Sequence, residues 1–403
     1  MSFFSEVKTH SIDVFELFMR FHRDTHENKL NLAIGVAYRD DSGLPWTLPV
    51  VRTAEQTVAE DENLDNEYLP VLGLEEFTTA ATRWLLGSDS IAVVEKRAFG
   101  VQSISGANAL RLGAEFLSQV LGKTVFYYSN PTWRSHELLF KNGGMAEARQ
   151  YRYWSEKTKN LDFDGLLEDL ESAPRGSVVI LHACAQNPTG CDPTEDQWRR
   201  IAGVMREKGL FPFFDTALQG FASGDLVRDA FAVRLFERMG FELFCAQSFS
   251  KNLGLYNERV GNLVVVLNDP KLVDPVKSQF TLIVRGMYSN PPSHGARIAS
   301  YILNNTNLYD KWQDNVLTMF TRMKEMRGSL RGALEQLGAP GDWSLITRQV
   351  GMACDTGLTE SQCEVLIERH HIYVLKSGRF NICAVTSANV DLIAKAIYDV
   401  FTS

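Results

Sequence analysis

The sequence predicts an α/β protein. It has a large domain built on a mainly parallel sheet with helices on both faces, and a smaller α/β domain assembled from both ends of the chain. Three observations predict this. At 403 residues the chain is too long for one small core, so two domains are expected. From about residue 99 the pattern strand, loop, helix repeats. The unusual polar residues fall at the ends of the apolar runs, where ligands bind in parallel sheets.

In chain order, Asp13 to Phe21 is amphipathic and reads as a short helix. Asn31 to Tyr38 is a strand-like apolar run, stopped by the turn signal Arg39-Asp-Asp-Ser-Gly43. Glu55 to Asn63 is helix-forming, Tyr68 to Gly73 is a loop, and Leu74 to Leu86 is a helix. Val101 to Ile104 then leads through Ser105-Gly-Ala-Asn108 into a helix with Leu110, Ala114, Leu117 and Leu121 on one face. Val125 to Tyr128 leads into Ser129-Asn-Pro-Thr-Trp133, and Val178 to Leu181 into His182-Ala-Cys-Ala-Gln-Asn-Pro-Thr-Gly190. A helix bearing Trp198, Ile201, Ala202 and Met205 precedes Leu210 to Phe214, which ends at Asp215. Phe241 to Ala246 and Leu263 to Leu267 are buried strands flanking Ser248 to Gly261. Trp312 to Leu337 is a long helix, and shorter strands and helices follow to Phe401. The expected domains are residues 1–45 as an N-terminal arm and part of the small domain, 46–315 as the large domain, and 316–403 as the rest of the small domain.

Composition excludes several classes. A net charge of −8 with no offsetting basic stretch argues against nucleic acid or an anionic membrane surface as partner. No apolar run approaches 18 residues, and Met1 to Asp13 lacks a signal-peptide core, so the expected location is the cytoplasm. Six cysteines show neither a C-x-x-C pair nor zinc spacing, so neither a structural metal nor a disulfide framework is expected. Gly122-Lys-Thr124 imitates the end of a phosphate-binding loop, but Leu117 stands where its first glycine is required. No dinucleotide fingerprint follows a strand, and no nucleophile elbow is present.

The chemistry centres on Ser248 to Gly261. Lys251 leaves the end of a buried strand into a glycine-containing loop, where desolvation turns a lysine into a usable amine nucleophile. Arg259 supplies a permanent cation suited to a phosphate. A Schiff-base lysine with a phosphate clamp is what pyridoxal phosphate requires. Ser105-Gly106-Ala107 at a helix start offers N–H groups to an anion, or is simply a serine cap with a glycine turn. Asp215 ends a strand and needs a partner such as a protonated pyridine nitrogen, unless it caps the next turn. Arg379 and Arg285 read as semi-buried arginines without acids nearby in sequence, which suits a dicarboxylate ligand or ion pairs with distant acids.

Together these stretches resemble the class I aspartate aminotransferases, fold-type-I pyridoxal-phosphate enzymes. The matching stretches are Asn66-Glu-Tyr-Leu-Pro70, Asn130-Pro-Thr-Trp133, His182 to Gly190, Gln219-Gly-Phe-Ala-Ser-Gly224, Ser248 to Gly261, Ser289 to Arg297 and Ser377-Gly-Arg379. The resemblance implies that Lys251 carries pyridoxal 5'-phosphate and shuttles the proton. It implies that Asp215 holds the pyridinium with His136 behind it, Asn187 bonds the ring oxygen and Trp133 stacks on the ring. Ser105, Gly106, Ala107, Ser248 and Arg259 would hold the phosphate, joined by Tyr68 from a second subunit. Arg379 would grip the substrate α-carboxylate, and Arg285 of the second subunit the distal one, making a homodimer with shared sites. Gly35 matches the family's substrate-contacting glycine, with Val36 as an inserted residue. The implied reaction is amino transfer between L-aspartate and 2-oxoglutarate.

The chain departs from the family pattern in places. Leu218 stands where a tyrosine is usual and Ala107 where a threonine is common. Ala353 and Asp355 stand where relatives carry phenylalanines near the substrate, which leaves room for aromatic amino acids. A lyase or decarboxylase shares the same chemistry. A silent scaffold would have no use for Lys251, Asp215, Arg259 and Arg379 together.

Overall fold

The computed structural model describes residues 2–8, 13–33, 38–40 and 44–402. The chain divides into two compact units, Trp46–Arg322 on one side and Met1–Pro45 with Met323–Ser403 on the other. In chain order the described strands are β1 (Leu30–Asn31), β2 (Ala98–Ser103), β3 (Val125–Asn130), β4 (Glu147–Arg152), β5 (Trp154–Ser155), β6 (Asn160–Leu161), β7 (Val178–His182), β8 (Phe211–Thr216), β9 (Leu243–Ser248), β10 (Gly261–Val266), β11 (Ala353–Asp355), β12 (Ile372–Tyr373) and β13 (Arg379–Asn381).

Trp46–Arg322 is built on a seven-stranded sheet in the order β2-β10-β9-β8-β7-β3-β4. The pairs β3–β4, β3–β7, β7–β8 and β8–β9 are parallel, whereas β10 runs antiparallel to both β9 and β2. Both faces are buried, which is why the central strands read as unbroken apolar runs. Val178, Ile180, Phe213 and Phe244 point to one core with Leu110, Leu117 and Phe280. Val179, Leu181, Phe214 and Cys245 point to the other with Trp198, Ile201, Met205 and Phe236. The helix Glu195–Lys208 lies on this second side; Thr194 and Gln197 close a capping box at its start, and Gly209 in the left-handed region ends it. Strand β4 has no apolar run because it is an edge strand with only Tyr151 fully buried, so its sequence gives no strand signal.

Two elements differ from the sequence-based expectation. The helix expected over 55–63 is Pro49–Glu60, because Pro49 occupies the first turn, where its missing N–H costs nothing. Of the strand expected over 31–38, the described residues show β1 ending at Asn31, whose side chain accepts the Ala33 N–H at 3.0 Å and turns the chain. Residues 34–37, including Gly35 and Val36, lie outside the described residues.

In the other unit β1 pairs with β12 in parallel and β11 with β13 in antiparallel, placing Asp355 opposite Arg379. Leu17 of the helix Asp13–Arg23 packs with Ile367 and Tyr373, and Arg20 pairs with Glu364. Arg327, only 3% exposed, donates to the carbonyls of Ile346, Gly351 and Ala353 at 3.0, 2.9 and 2.6 Å, fixing the chain into β11. The helix Thr306–Gln336 carries the chain from one unit into the other.

Candidate active site

The parallel strands deliver their polar residues to one edge of the sheet. Strand β2 ends at Ser103 ahead of Ser105, β3 at Asn130 ahead of Trp133, and β7 at His182 ahead of Asn187. Asp215 is the next-to-last residue of β8, and β9 ends at Ser248 ahead of Lys251. Strand β10 runs the other way, so it starts where these end: Gly261 is in register with both Ser248 and Ser103. That reversal brings Arg259, two residues before β10, to the same edge. A cavity of about 220 Å³ there is lined by Ser105, Gly106, Ala107, Trp133, Asn187, Asp215, Ser248, Lys251 and Arg259, with His182, Leu218 and Tyr256 beside them.

The charges in this cavity are arranged in order. His136, fully buried, places Nε2 2.9 Å from Asp215 Oδ2, and its Nδ1 lies 2.8 Å from Thr132 Oγ1. An ionised carboxylate only accepts, so Nε2 carries the proton and Nδ1 accepts the Thr132 hydroxyl. Burial alone would push the Asp215 carboxyl up. The His136 hydrogen bond, helped by the charge of Lys251, outweighs it and holds Asp215 below the usual carboxylate value. Burial pulls Lys251 below the ordinary lysine value; Asp215 opposes this and Arg259 adds to it. His182 is pushed down to about 3 by burial, reinforced by His136, so it is a neutral imidazole. Trp133 stands edge-on to His136 at 5.4 Å. The loop bearing Asn187 is clamped by Asp192, which accepts the N–H groups of Ala185 and Gln186 at 2.6 and 2.8 Å.

The helix Gly106–Gln119 points its N-terminus into the cavity, and Ser105 caps it by accepting the Asn108 N–H at 3.0 Å. Ser248 Oγ likewise accepts the Ser250 N–H at 3.3 Å. Each hydroxyl keeps its proton for an anion. Two glycines allow the close approach of these chains. A Cβ on Gly106 would stand 2.7 Å from Ser248 Cβ, and one on Gly261 would stand 2.3 Å from the Ser105 carbonyl carbon. Arg259 holds a left-handed backbone, φ 56°, and donates from Nη1 to the Tyr256 carbonyl at 2.8 Å. That conformation costs a non-glycine residue about 1–2 kcal/mol.

Does pyridoxal phosphate fit these residues? His182 Nε2 and Asn187 Oδ1 are buried with no hydrogen-bond partner among the described residues, as a missing polar ring would leave them. The amine of Lys251, the carboxylate of Asp215 and the helix N-terminus with Arg259 match its carbonyl, its ring nitrogen and its phosphate. The group fits. His136, His182 and Asp215 also bring one donor atom each within 4.8 Å of one another, a trio that in isolation would suit a metal ion.

A family model described as aminotransferase class I and II matches residues 27–397. This chain belongs to that family. Among its relatives, the cytoplasmic aspartate aminotransferase of Gallus gallus is 52% identical over 97% of this chain and 96% of its own length. The structure of the cytoplasmic aspartate aminotransferase of Saccharomyces cerevisiae superposes with a TM-score of 0.96 at 40% identity, over 99% of this chain and 98% of that one. An aromatic-amino-acid aminotransferase from Burkholderia pseudomallei, covalently bound to pyridoxal phosphate, superposes with a TM-score of 0.95 at 36% identity over the whole of both chains. The fold of this aminotransferase is thus the fold-type-I α/β architecture, and its cofactor is pyridoxal phosphate.

The remaining expected site residues lie elsewhere. Arg379 is half-buried on β13, in the other unit. Arg285 is exposed rather than semi-buried: it ends the solvent side of the helix Val273–Met287 and donates to Ser289 Oγ at 2.6 Å and Asn290 Oδ1 at 3.2 Å. Asn290 in turn donates to the Leu69 carbonyl at 2.7 Å, next to Tyr68, which is 87% exposed. Sequence reasoning gave no role to Thr132, His182 or Tyr256. His182 had a usable signal, since it ends a buried strand, and in the β7–β8 register it lies directly opposite Asp215.

Proposed function

We propose that this aminotransferase moves an amino group between L-aspartate and 2-oxoglutarate, giving oxaloacetate and L-glutamate. The observation that carries the reading is Lys251: an amine whose proton affinity is lowered by burial, in one cavity with the Asp215–His136 pair and an anion-binding helix start. Lys251 Nζ would hold the cofactor and remove the proton from substrate Cα. Bound there, pyridoxal phosphate supplies an electron-poor ring that accepts the electron pair of the broken Cα–H bond. Asp215, kept ionised by His136, would hold the ring nitrogen protonated, and Asn187 would bond the ring oxygen. Trp133 would cover the ring. Ser105, Gly106, Ala107, Ser248 and Arg259 would hold the phosphate.

Arg379 would bind the α-carboxylate in bidentate fashion, orienting the Cα–H bond. We further propose a homodimer in which the exposed Tyr68 and Arg285 serve the second subunit's site, Tyr68 at the phosphate and Arg285 at the distal carboxylate. Their exposure in the single chain, and the Asn290 link that ties them together, support it. The cytoplasmic naming of the chicken relative supports that location, and among the described residues no helix is long and apolar enough to cross a membrane.

Half-transamination tests the reading. The purified yellow enzyme is mixed separately with aspartate, glutamate, phenylalanine and alanine, and the visible absorbance of the cofactor is followed. Bleaching by the two dicarboxylic amino acids is expected; no bleaching by any of the four would sink the proposal. A second reading is a broader enzyme that also accepts aromatic amino acids. It is favoured by Ala353 on β11, where relatives carry phenylalanine. Comparable bleaching by phenylalanine, lost in Ala353→Phe, would establish it.

A further inference from the structure

The sheet edge opposite the active site holds a second cavity, of about 510 Å³, that the reaction does not use. It lies among the turns that lead into β3, β7, β8 and β9. Three cations meet in it: Lys123 before β3, Arg175 before β7 and Arg206 near the start of β8. Among the described residues the side chains of Lys123 and Arg175 have neither a hydrogen bond nor an ion pair, and that of Arg206 has only the face of Phe241, 5.4 Å from its ring centre. Arg175 and Arg206 are exposed and Lys123 is half-buried. The chain carries 49 acidic residues against 41 basic ones, and Arg20, Arg111, Arg149, Arg152, Arg199 and Arg331 all pair with carboxylates. The one acid lining the cavity, Glu242, is occupied by the Asn268 N–H at 3.0 Å.

The cations are also close together. Gly176 donates its N–H to the Gly209 carbonyl at 3.0 Å, so the two glycines are neighbours. A Cβ on Gly176 would stand 3.0 Å from Lys123 Nζ, and one on Gly209 would stand 3.1 Å from Arg175 Cζ. The ammonium and the guanidinium therefore flank one short piece of bare backbone. Like charges gathered this way repel each other unless an anion lies between them. Compensation of helix dipoles accounts for Arg206, in the last turn of Glu195–Lys208. It does not account for Lys123 and Arg175, which lie beyond the helices before them and whose side chains bond none of their carbonyls.

We propose that this cavity is a binding site for a phosphorylated small molecule, with Lys123 and Arg175 gripping its phosphate groups and Arg206 at the rim. A guanidinium and an ammonium on one phosphate cluster give charge-assisted bonds, and the volume suits a small metabolite. The test is calorimetric titration of the holoenzyme with pyrophosphate and, separately, with magnesium-free ATP, on the wild type and on Lys123→Ala/Arg175→Ala. The expected result is saturable binding of at least one probe, weakening as sodium chloride is added. The double variant should bind about tenfold or more weakly, as loss of two charge-assisted contacts implies, while its visible spectrum and kcat stay unchanged. No binding of either probe to the wild type at millimolar concentration, or equal affinity in the double variant, would overturn the proposal. Neither result bears on the transaminase reading, because the active site stays loaded throughout.

Discussion

Lys251 and Asp215 share one cavity with opposite charges; Lys251 helps keep Asp215 ionised, whereas Asp215 opposes the loss of proton affinity that burial imposes on Lys251. Asp215 is kept ionised against its burial by the His136 hydrogen bond and the charge of Lys251, while Lys251 loses proton affinity because burial outweighs Asp215's attraction. Leu218, 9% exposed and lining the same cavity, is where the family's tyrosine would give a further hydrogen bond to the ring oxygen. A bond of that kind to a charged acceptor contributes about 1.5–3 kcal/mol, or roughly one to two pKa units. It stabilises the deprotonated form, so its absence raises the pH at which the bound cofactor's visible absorbance titrates. Leu218→Tyr should lower that midpoint by roughly one to two units. A spectrophotometric pH titration checks it, and an unmoved midpoint would refute the assignment.

At the level of elements, the antiparallel run of β10 decides where the proposed phosphate site is assembled. A parallel strand in that position would put Arg259 at the far edge of the sheet; reversed, it meets Ser105 and Ser248 across Gly261. The helix Gly106–Gln119 can start there only because Gly106 lets it touch Ser248. In Gly106→Ala the new methyl would stand 2.7 Å from Ser248 Cβ, so one of the two chains must shift. Overpacking of this sort costs about 1–3 kcal/mol. We expect a lower Tm and loss of cofactor on dialysis several times faster than in the wild type, followed by the decay of the visible band. Retention at the wild-type rate would mean that the helix start does not hold the phosphate.

For the whole molecule, the proposed sharing of sites between subunits makes a sharper prediction than mass alone. Lys251→Ala removes the amine from its own chain, and Arg285→Asp removes the distal clamp from its partner's site. Each homodimer should be inactive toward aspartate. Unfolding the two variants together and refolding them should give mixed dimers in which one site has both residues. Random pairing restores roughly a quarter of the wild-type activity, read as aspartate turnover of the mixture. No recovery would mean that Lys251 and Arg285 of the same chain work together.

Sequence by itself determined the alternation of strands and helices and the strand ends that bring Lys251, Asp215 and Arg259 to one cavity. These follow from local rules: continuous apolar runs mark strands buried on both faces, and a polar residue just past such a run must be satisfied or used. It did not determine β4, whose exposed edge carries no apolar pattern, or the end of β1, where the Asn31 side chain turns the chain. Nor could it separate Arg285 from Arg379, since two arginines flanked by apolar residues look alike until a helix turns one of them to solvent. Only the tertiary structure decided which way β10 runs, that His182 and His136 close on Asp215, and that Lys123, Arg175 and Arg206 meet at the opposite edge. Those facts join residues tens of positions apart, and a pattern with a period of two or 3.6 residues holds no information about such distances.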